Sequence, residues 1–103
     1  MPELPEVETV RRELEPSLVG RTFTTAWSHP SAKFTPAIEV VGTRVESLGR
    51  RGKYLLAATD DDTELVVHLG MTGQWLIGEE VDDPYVRAKW RLDDDRWLTF
   101  RDV

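Results

Sequence analysis

The fold of this chain is constrained most by a series of short segments rich in β-branched, aromatic and other apolar residues, each bounded by turn residues. Such segments are typical of β-strands, and in the first of them Phe23, Thr25 and Trp27 occupy alternate positions. The segments cover residues 23–27, 45–48, 53–59, 64–69, 74–77, 85–92 and 96–100. Two of the connections, 60–62 and 93–95, are runs of aspartate, which tolerates turn conformations. Strands joined by such short turns are antiparallel, so the sequence predicts a mainly β (α+β) fold, an antiparallel β-sandwich or barrel.

One helix is predicted ahead of the strands, over residues 5–15. Val7, Val10 and Leu14 recur at helical spacing and therefore share one face. Leu18 would continue this stripe, and Pro16 and Gly20 are expected to close the segment.

Two further structural expectations concern a second, short helix and the positions of the tryptophans. A short second helix is expected after Thr35-Pro36, with the Thr35 hydroxyl as its N-cap. The tryptophans all fall in predicted strands, where we expect core or sheet-edge positions rather than a platform for stacking bases. They are Trp27, Trp75, Trp90 and Trp97.

Length and composition exclude several classes of protein. A chain of 103 residues suits one domain, and its lack of cysteine excludes a disulfide scaffold or a thiolate metal site. No apolar run approaches the ~20 residues that span a bilayer, and no signal segment is present. A cytoplasmic protein without a membrane partner is expected.

The net charge of −6 argues at first against a nucleic-acid partner. The charge is unevenly distributed, however. Residues 1–53 hold eight Lys/Arg and seven Asp/Glu, whereas residues 54–103 hold five and twelve. The acidic runs are most simply solvated turns, so net charge alone decides little.

The first six residues suggest covalent chemistry. Met1 before a small residue is normally removed, which would leave Pro2 as a free secondary amine. Such an amine can attack an aldehyde carbon and form a Schiff base. Glu3 and Glu6 would lie near that amine and could transfer protons. The alternative is that Glu3, Glu6 and Glu8 merely favour the positive end of the helix dipole.

Three other residues are candidates for binding. Lys53, in the basic cluster of Arg50, Arg51 and Lys53, is expected to open a strand and to project toward a phosphate or the N-terminal cleft, although such a cluster is more often a solvated basic turn. Met71 lies between two glycines, where it either fills a core gap or protrudes as a wedge. His68 is expected on the strand face opposite Leu65, as a structural histidine or a phosphate contact.

Three blocks of sequence, taken together, carry a family resemblance. MPELPEVETVRR at 1–12, RRGKYLL at 50–56 and HLGMTG at 68–73 resemble the formamidopyrimidine-DNA glycosylases, bacterial repair enzymes for oxidised purines. The order of the blocks is also that of the family. Endonuclease VIII, which removes oxidised pyrimidines, looks similar but typically has Gly where Leu4 stands here, so an oxidised-pyrimidine glycosylase is the less favoured reading.

The resemblance implies a bifunctional DNA glycosylase/AP lyase acting on 8-oxoguanine and formamidopyrimidines in damaged double-stranded DNA. Such enzymes flip the damaged nucleotide out of the duplex. Pro2 would then attack the sugar's anomeric carbon, with Glu3 as acid/base and Glu6 as a supporting acid. Lys53 would contact the phosphate beside the lesion, and Met71 would fill the gap that the flipped nucleotide leaves.

The chain departs from the family pattern in two places. The family usually shows His-x-His-Val where residues 83–86 read Asp-Pro-Tyr-Val, which puts one phosphate contact in doubt. The sequence also stops before the family's Arg-Arg-Phe-Gly segment. Residues 1–103 are therefore expected to be an N-terminal catalytic domain, truncated before the helix–two-turn–helix and zinc-finger modules and weak or inactive alone.

The resemblance implies a structural zinc only in those further modules, so no metal, no small-molecule cofactor and a monomer are expected for this chain. Two alternatives from other classes stay open. One is a catalytically weak or inactive DNA-binding or interaction domain of the same fold. The other is a tautomerase-like enzyme with a terminal proline base, which the early helix start disfavours.

Overall fold

A computed structural model describes residues 4–103, with side chains from Glu6 onward. One α-helix precedes seven β-strands, and a 3₁₀ helix follows the first strand. The elements are α1 (Leu4–Leu18), β1 (Phe23–Ser28), the 3₁₀ helix (Thr35–Val40), β2 (Val45–Arg51), β3 (Tyr54–Thr59), β4 (Glu64–His68), β5 (Gln74–Gly78), β6 (Val86–Leu92) and β7 (Trp97–Arg101). All seven predicted strands are confirmed, with small shifts at their ends.

The strands form two antiparallel sheets with the orders β1-β6-β7-β5 and β2-β3-β4. The sheets pack as a sandwich and do not close into a barrel over the described residues. The α1 helix contacts β2 and β5 along one side of the sandwich, and the 3₁₀ helix contacts β1 and β4 along the other. The two helices therefore cover edge strands that would otherwise be open to pairing.

A single hydrophobic core fills the space between the sheets. Its largest fully buried side chains come from both sheets and from α1: Trp75, Trp90, Phe23, Leu18, Leu55, Leu92 and Leu98. The indole N–H of Trp90 donates to the carbonyl of Ala37 at 2.8 Å, which ties the 3₁₀ helix to the core. Trp27 lies on the edge strand β1, so the expected core and sheet-edge positions are confirmed for Trp75, Trp90 and Trp27. Trp97 is half-buried on β7, an interior strand, and fits neither expectation.

The prediction that Pro16 ends the helix is wrong, because α1 continues through it to Leu18. Leu14 is 5% exposed and Leu18 is fully buried, so the apolar stripe continues past the proline. Proline removes one backbone bond from the last turn, and burial of Leu18 offsets that loss.

Two local predictions are also wrong. The N-cap of the 3₁₀ helix is Phe34, with no side-chain cap bond, and Thr35 is the first helical residue. Lys53 does not open a strand but lies in the turn between β2 and β3, next to Gly52 at φ +60°. A tight hairpin needs such a residue with positive φ, which moves the start of β3 to Tyr54.

The α1 helix runs alongside β2 in the opposite direction. Near its beginning, Glu8 bonds to Arg50 at the end of β2. Beyond its end, Gly20 N donates to Val45 O at the start of β2, at 2.8 Å. The helix therefore begins at the end of the sheet that carries the β2–β3 turn. No helix within residues 4–103 is long and apolar enough to cross a membrane.

Candidate nucleic-acid interface and active site

The β2–β3 turn brings two of the predicted binding residues to one end of the three-stranded sheet. Lys53 is exposed at the tip of the turn. The next residue, Tyr54, pairs in register with His68 at the end of β4. Their ring centroids are 4.9 Å apart, and His68 is exposed while Leu65 and Val67 are buried. The predicted position of His68 on the strand face opposite Leu65 is thus confirmed, and that face points outward.

The first turns of α1 are tied to this same end by the carboxylate of Glu8. Arg11 donates to both of its oxygens, at 2.9 Å from Nε and 2.7 Å from Nη2. Arg12 Nε donates at 3.1 Å, and Arg50 Nε donates at 3.2 Å from across the gap to β2. Three guanidinium groups therefore converge on one carboxylate.

The ion pairs of this cluster shift the pKa values of Glu8 and Arg11. The hydrogen bond from Arg11, with further bonds from Arg50 and Arg12, lowers the pKa of Glu8 from 4.5 to about 2. The same contact with Glu8 raises the pKa of Arg11. Glu8 is consequently a permanent anion near neutral pH and fixes the cations around it, rather than serving as a proton donor.

Met71 lies on the loop between β4 and β5 and is 80% exposed. The loop is closed by a bond from Gly73 N to Leu69 O at 2.7 Å, and Gly70 adopts φ +62°. An unbranched apolar side chain held this far into solvent is suited to insertion between bases. The geometry therefore favours the protruding position over the core position that the sequence left open.

Asp102 connects the Met71 loop to the last strand. Its carboxylate accepts a hydrogen bond from the hydroxyl of Thr72. Its backbone N–H donates to Tyr85 O at 3.0 Å, and its carbonyl accepts from Arg87 Nε at 2.9 Å. Asp102 is thereby hydrogen-bonded to the Met71 loop through Thr72 and to the beginning of β6 through Tyr85 and Arg87.

The segment at 83–86 forms an ion-pair cluster of its own. Asp83 accepts hydrogen bonds from the backbone N–H of Tyr85 at 2.7 Å and from Arg101 Nε at 2.8 Å, and these bonds lower its pKa. The guanidinium of Arg101 also lies over the Tyr85 ring, 5.3 Å from its centroid. A carboxylate therefore sits at this position and binds an arginine of the same chain.

Comparison with known proteins identifies the family. The family model described as formamidopyrimidine-DNA glycosylase N-terminal domain matches residues 1–103. The formamidopyrimidine-DNA glycosylase of Mycobacterium leprae is 42% identical over 110 residues, which is 99% of this chain and 39% of the relative. The chain belongs to this family. It spans about two fifths of the length of that curated relative.

Solved structures of the family agree with the fold. The MutM (Fpg) protein of Thermus thermophilus matches with a TM-score of 0.84 and 40% identity, over 98% of this chain and 36% of that one. The formamidopyrimidine-DNA glycosylase of Lactococcus lactis, bound non-covalently to DNA with an AP site, matches with a TM-score of 0.86 and 30% identity. This match covers 98% of this chain and 41% of that one. The predicted family and fold class are confirmed.

The predicted site residues of this family member are distributed as follows. Pro2 and Glu3 lie outside the described residues. Glu6 is exposed in the first turn of α1. Lys53 and His68 come together through the β3–β4 pairing, and their roles stay predictions. Within residues 4–103 no three His, Asp or Glu side chains converge to hold a metal ion.

Two residues at this end were not predicted as functional. The sequence indicates only that Arg50 belongs to a basic cluster and that Glu8 is an acid favoured at the start of a helix. The spacing of Glu8 to Arg11 and Arg12, three and four residues, does indicate local helix pairs. Nothing in the spacing indicates the bond to Arg50, which is 42 residues away.

Proposed function

We propose that this domain carries the reactive amine and several DNA contacts of a bifunctional DNA glycosylase/AP lyase of base-excision repair. The substrates are oxidised purines, 8-oxoguanine and formamidopyrimidines, in double-stranded DNA, and the covalent intermediate is a Schiff base on Pro2. The family membership of the chain supports the substrate class. The proposal assigns Glu3 as the acid/base, with Glu6 in support.

One observation supports the proposal more than any other. The α1 helix begins at the same end of the sheet as the Lys53 turn, and the Glu8–Arg50 pair joins the two elements at 3.2 Å. A helix residue adds 1.5 Å of rise, so the start of α1 at Leu4 lies only about 6 Å along the axis from Glu8. The start of α1 and the Lys53 turn thus lie at one end of the molecule. The reaction proposed for Pro2 requires its amine to reach this same end.

The proposed reaction uses the chain's own groups for each proton and each bond. The Pro2 nitrogen attacks C1′ of the flipped nucleotide, the bond to the damaged base breaks, and the proton that the Pro2 nitrogen loses leaves with the base. Glu3 protonates the ring oxygen as the C1′–O4′ bond breaks, which leaves an iminium between Pro2 and C1′. The Glu3 carboxylate then takes the C2′ proton that the iminium acidifies, and the bond to the 3′ phosphate breaks. Loss of the C4′ proton to the same base releases the 5′ phosphate in a second elimination.

Lys53 and Met71 have supporting roles in this proposal. The Lys53 ammonium binds the phosphate next to the lesion and stabilises its charge as it leaves. Met71 enters the stack where the damaged nucleotide was and keeps it from returning. His68, beside Tyr54, contacts the backbone of the same strand.

Borohydride trapping tests the proposal directly. The protein is incubated with a duplex that carries one abasic site, because the aldehyde of that site needs no base removal. Reduction should yield a covalent protein–DNA adduct, and peptide mapping should place it on the Pro2 nitrogen. Protein that retains Met1, identified by intact mass, is the matched control, since its Pro2 nitrogen is an amide and cannot attack.

Two results would contradict the proposal. One is the lack of an adduct from folded protein that has lost Met1. The other is an adduct that maps to a lysine and forms equally well when Met1 is retained.

A second candidate function is a DNA-binding domain of the same fold without turnover. The Asp83–Arg101 ion pair at 2.8 Å favours it, because it places an acid where the family resemblance leads one to expect imidazoles. A gel-shift titration separates the two candidates. A binding domain should hold duplex DNA with an affinity that falls steeply with salt, yet give no trapped adduct.

A further inference from the structure

We infer that Arg50 is a positioning residue that holds the Lys53 turn against the beginning of α1. This inference rests on the proposed function, since it gives Arg50 a role in aligning the Pro2 amine with Lys53. The residue would not touch DNA itself. It would act by holding the Lys53 turn in a fixed position relative to α1, the helix that follows Pro2 in the sequence.

The hydrogen bonds of Arg50 lead in two directions. Its Nε donates to Glu8 Oε1 on α1 at 3.2 Å. Its Nη1 donates to the carbonyl of Gly52 at 3.1 Å. Gly52 directly precedes Lys53, so one planar guanidinium connects the helix to the tip of the turn.

The chemistry of this bridge requires arginine. The guanidinium presents donors along different directions of a rigid fork, so it can bond to a carboxylate and a carbonyl at once. A lysine at position 50 would keep the charge but is a compact point donor on a flexible chain. It could hold Glu8 or Gly52 in place, but it could not fix their relative position.

The setting of Glu8 makes the bridge rigid. Arg11 holds the Glu8 carboxylate through both oxygens, at 2.9 and 2.7 Å, and itself donates to Leu48 O on β2 at 3.5 Å. The Glu8 and Arg50 side chains are only 24% and 30% exposed. An ion pair that is partly shielded from solvent and belongs to a network keeps a more fixed geometry than an isolated surface pair.

The competing explanation is that Arg50 is simply one more phosphate contact in a basic cluster. The two explanations make different kinetic predictions. A phosphate contact contributes to binding, so its loss raises the DNA concentration for half-maximal trapping. It also reduces the slope of log affinity against log salt concentration by about one. A positioning residue contributes to alignment, so its loss lowers the trapping rate at saturating DNA.

The experiment measures single-turnover borohydride trapping on an abasic duplex over a range of DNA concentrations. We expect Arg50→Gln to lower the saturating rate about tenfold or more, since misplacement of reacting groups by ~1 Å can cost about 100-fold. The half-saturating concentration should stay within about threefold. Arg50→Lys should not restore the rate, because it cannot form both bonds.

Arg12→Gln is the matched control. Arg12 also binds Glu8, at 3.1 Å, but its side chain is 74% exposed and it does not reach the β2–β3 turn through any described contact. This variant should keep both kinetic parameters within about twofold. A rise in the half-saturating concentration for Arg50→Gln, with rescue by Arg50→Lys, would overturn the inference, as would a saturating rate equal to that of the unmodified protein.

Amide hydrogen exchange separates this inference from the proposed function. Arg50→Gln should speed exchange in the turn at residues 52–53, and Arg12→Gln should not. If the unmodified protein forms no adduct, the proposed function fails and the exchange comparison alone decides whether Arg50 holds the turn. Equal exchange in both variants would overturn the inference even where trapping succeeds.

Discussion

The ring of Tyr54 lies 4.9 Å from the imidazole of His68, measured between ring centroids, with the ring planes inclined at 47°. The two residues are direct partners in the β3–β4 register. Both side chains face outward, and Tyr54 is 49% exposed. This cross-strand contact therefore fixes the side chain of His68 beside the Lys53 turn without the help of the core.

Replacing Tyr54 tests the energy of this contact. Tyr54→Ala should lower the free energy of unfolding by about 1 kcal/mol, because an aromatic cross-strand pair contributes about 0.2–1 kcal/mol and a half-exposed ring buries further area. Tyr54→Phe keeps the ring and should cost less than about 0.5 kcal/mol. Urea denaturation measures both, and equal losses for the two variants would show that the ring contact contributes nothing.

The loop that presents Met71 depends on a glycine. A Cβ at Gly73 would lie 2.2 Å from the carbonyl oxygen of Leu69, whose bond with Gly73 N closes the loop. Gly73→Ala must therefore open the loop, and we expect it to cost about 1–3 kcal/mol of stability. The same measurement on Met71→Ala should show almost no change, because that side chain is 80% exposed.

Thermal or urea unfolding distinguishes these outcomes. If Gly73→Ala is as stable as the unmodified protein, the loop must accept a second conformation. Loss of stability in Met71→Ala would indicate that this side chain packs against the domain rather than projecting from it.

Much of the fold could be predicted because the signals are local. Short apolar runs bounded by turn residues recur along the chain, and Asp62 and Asp95 adopt φ near +70° in the aspartate-rich turns. The end of the helix is predicted too early because the local rule about Pro16 competes with the apolar stripe that Leu18 continues. The structure buries Leu18 fully, so packing favours the longer helix.

The site was predictable as a set of residues but not as an arrangement. Lys53, His68 and Met71 stand out by residue type and sequence context. Their proximity depends on the register between β3 and β4, and register is not specified by any one segment. The Glu8–Arg50 bridge joins elements far apart in the sequence, so its geometry appears only when α1 packs along β2.

The salt dependence of DNA binding tests the role of Lys53. Each phosphate neutralised by a cation adds about 0.9 to the slope of log affinity against log salt concentration. Lys53→Gln should therefore reduce that slope by about one, measured by fluorescence anisotropy with an abasic duplex. Arg44→Gln is a suitable control, because Arg44 lies at the opposite end of β2 and its removal should leave the slope unchanged. Equal slopes for all three proteins would contradict a phosphate contact at Lys53.

The pH dependence of stability tests the charge cluster at the start of α1. Glu8 titrates at about 2 in the folded protein against 4.5 ordinarily, mainly because of its hydrogen bond from Arg11. Between these values the unfolded chain binds more protons than the folded one, so stability increases with pH. The contribution of Glu8 is therefore complete above about pH 4.5 and is lost as the pH falls toward 2.

Glu8→Gln removes this contribution and should make the urea midpoint less sensitive to pH over that range. The variant should be less stable than the unmodified protein at about pH 6, and the difference should shrink steadily toward about pH 2.5. Arg12→Gln, which removes the most exposed of the three partners, should retain most of the original pH dependence because Arg11 and Arg50 remain. Parallel curves for Glu8→Gln and the unmodified protein across the whole range would mean that the three guanidinium groups do not act on Glu8 in solution, and the bridge to β2 would then lose its anchor on the helix.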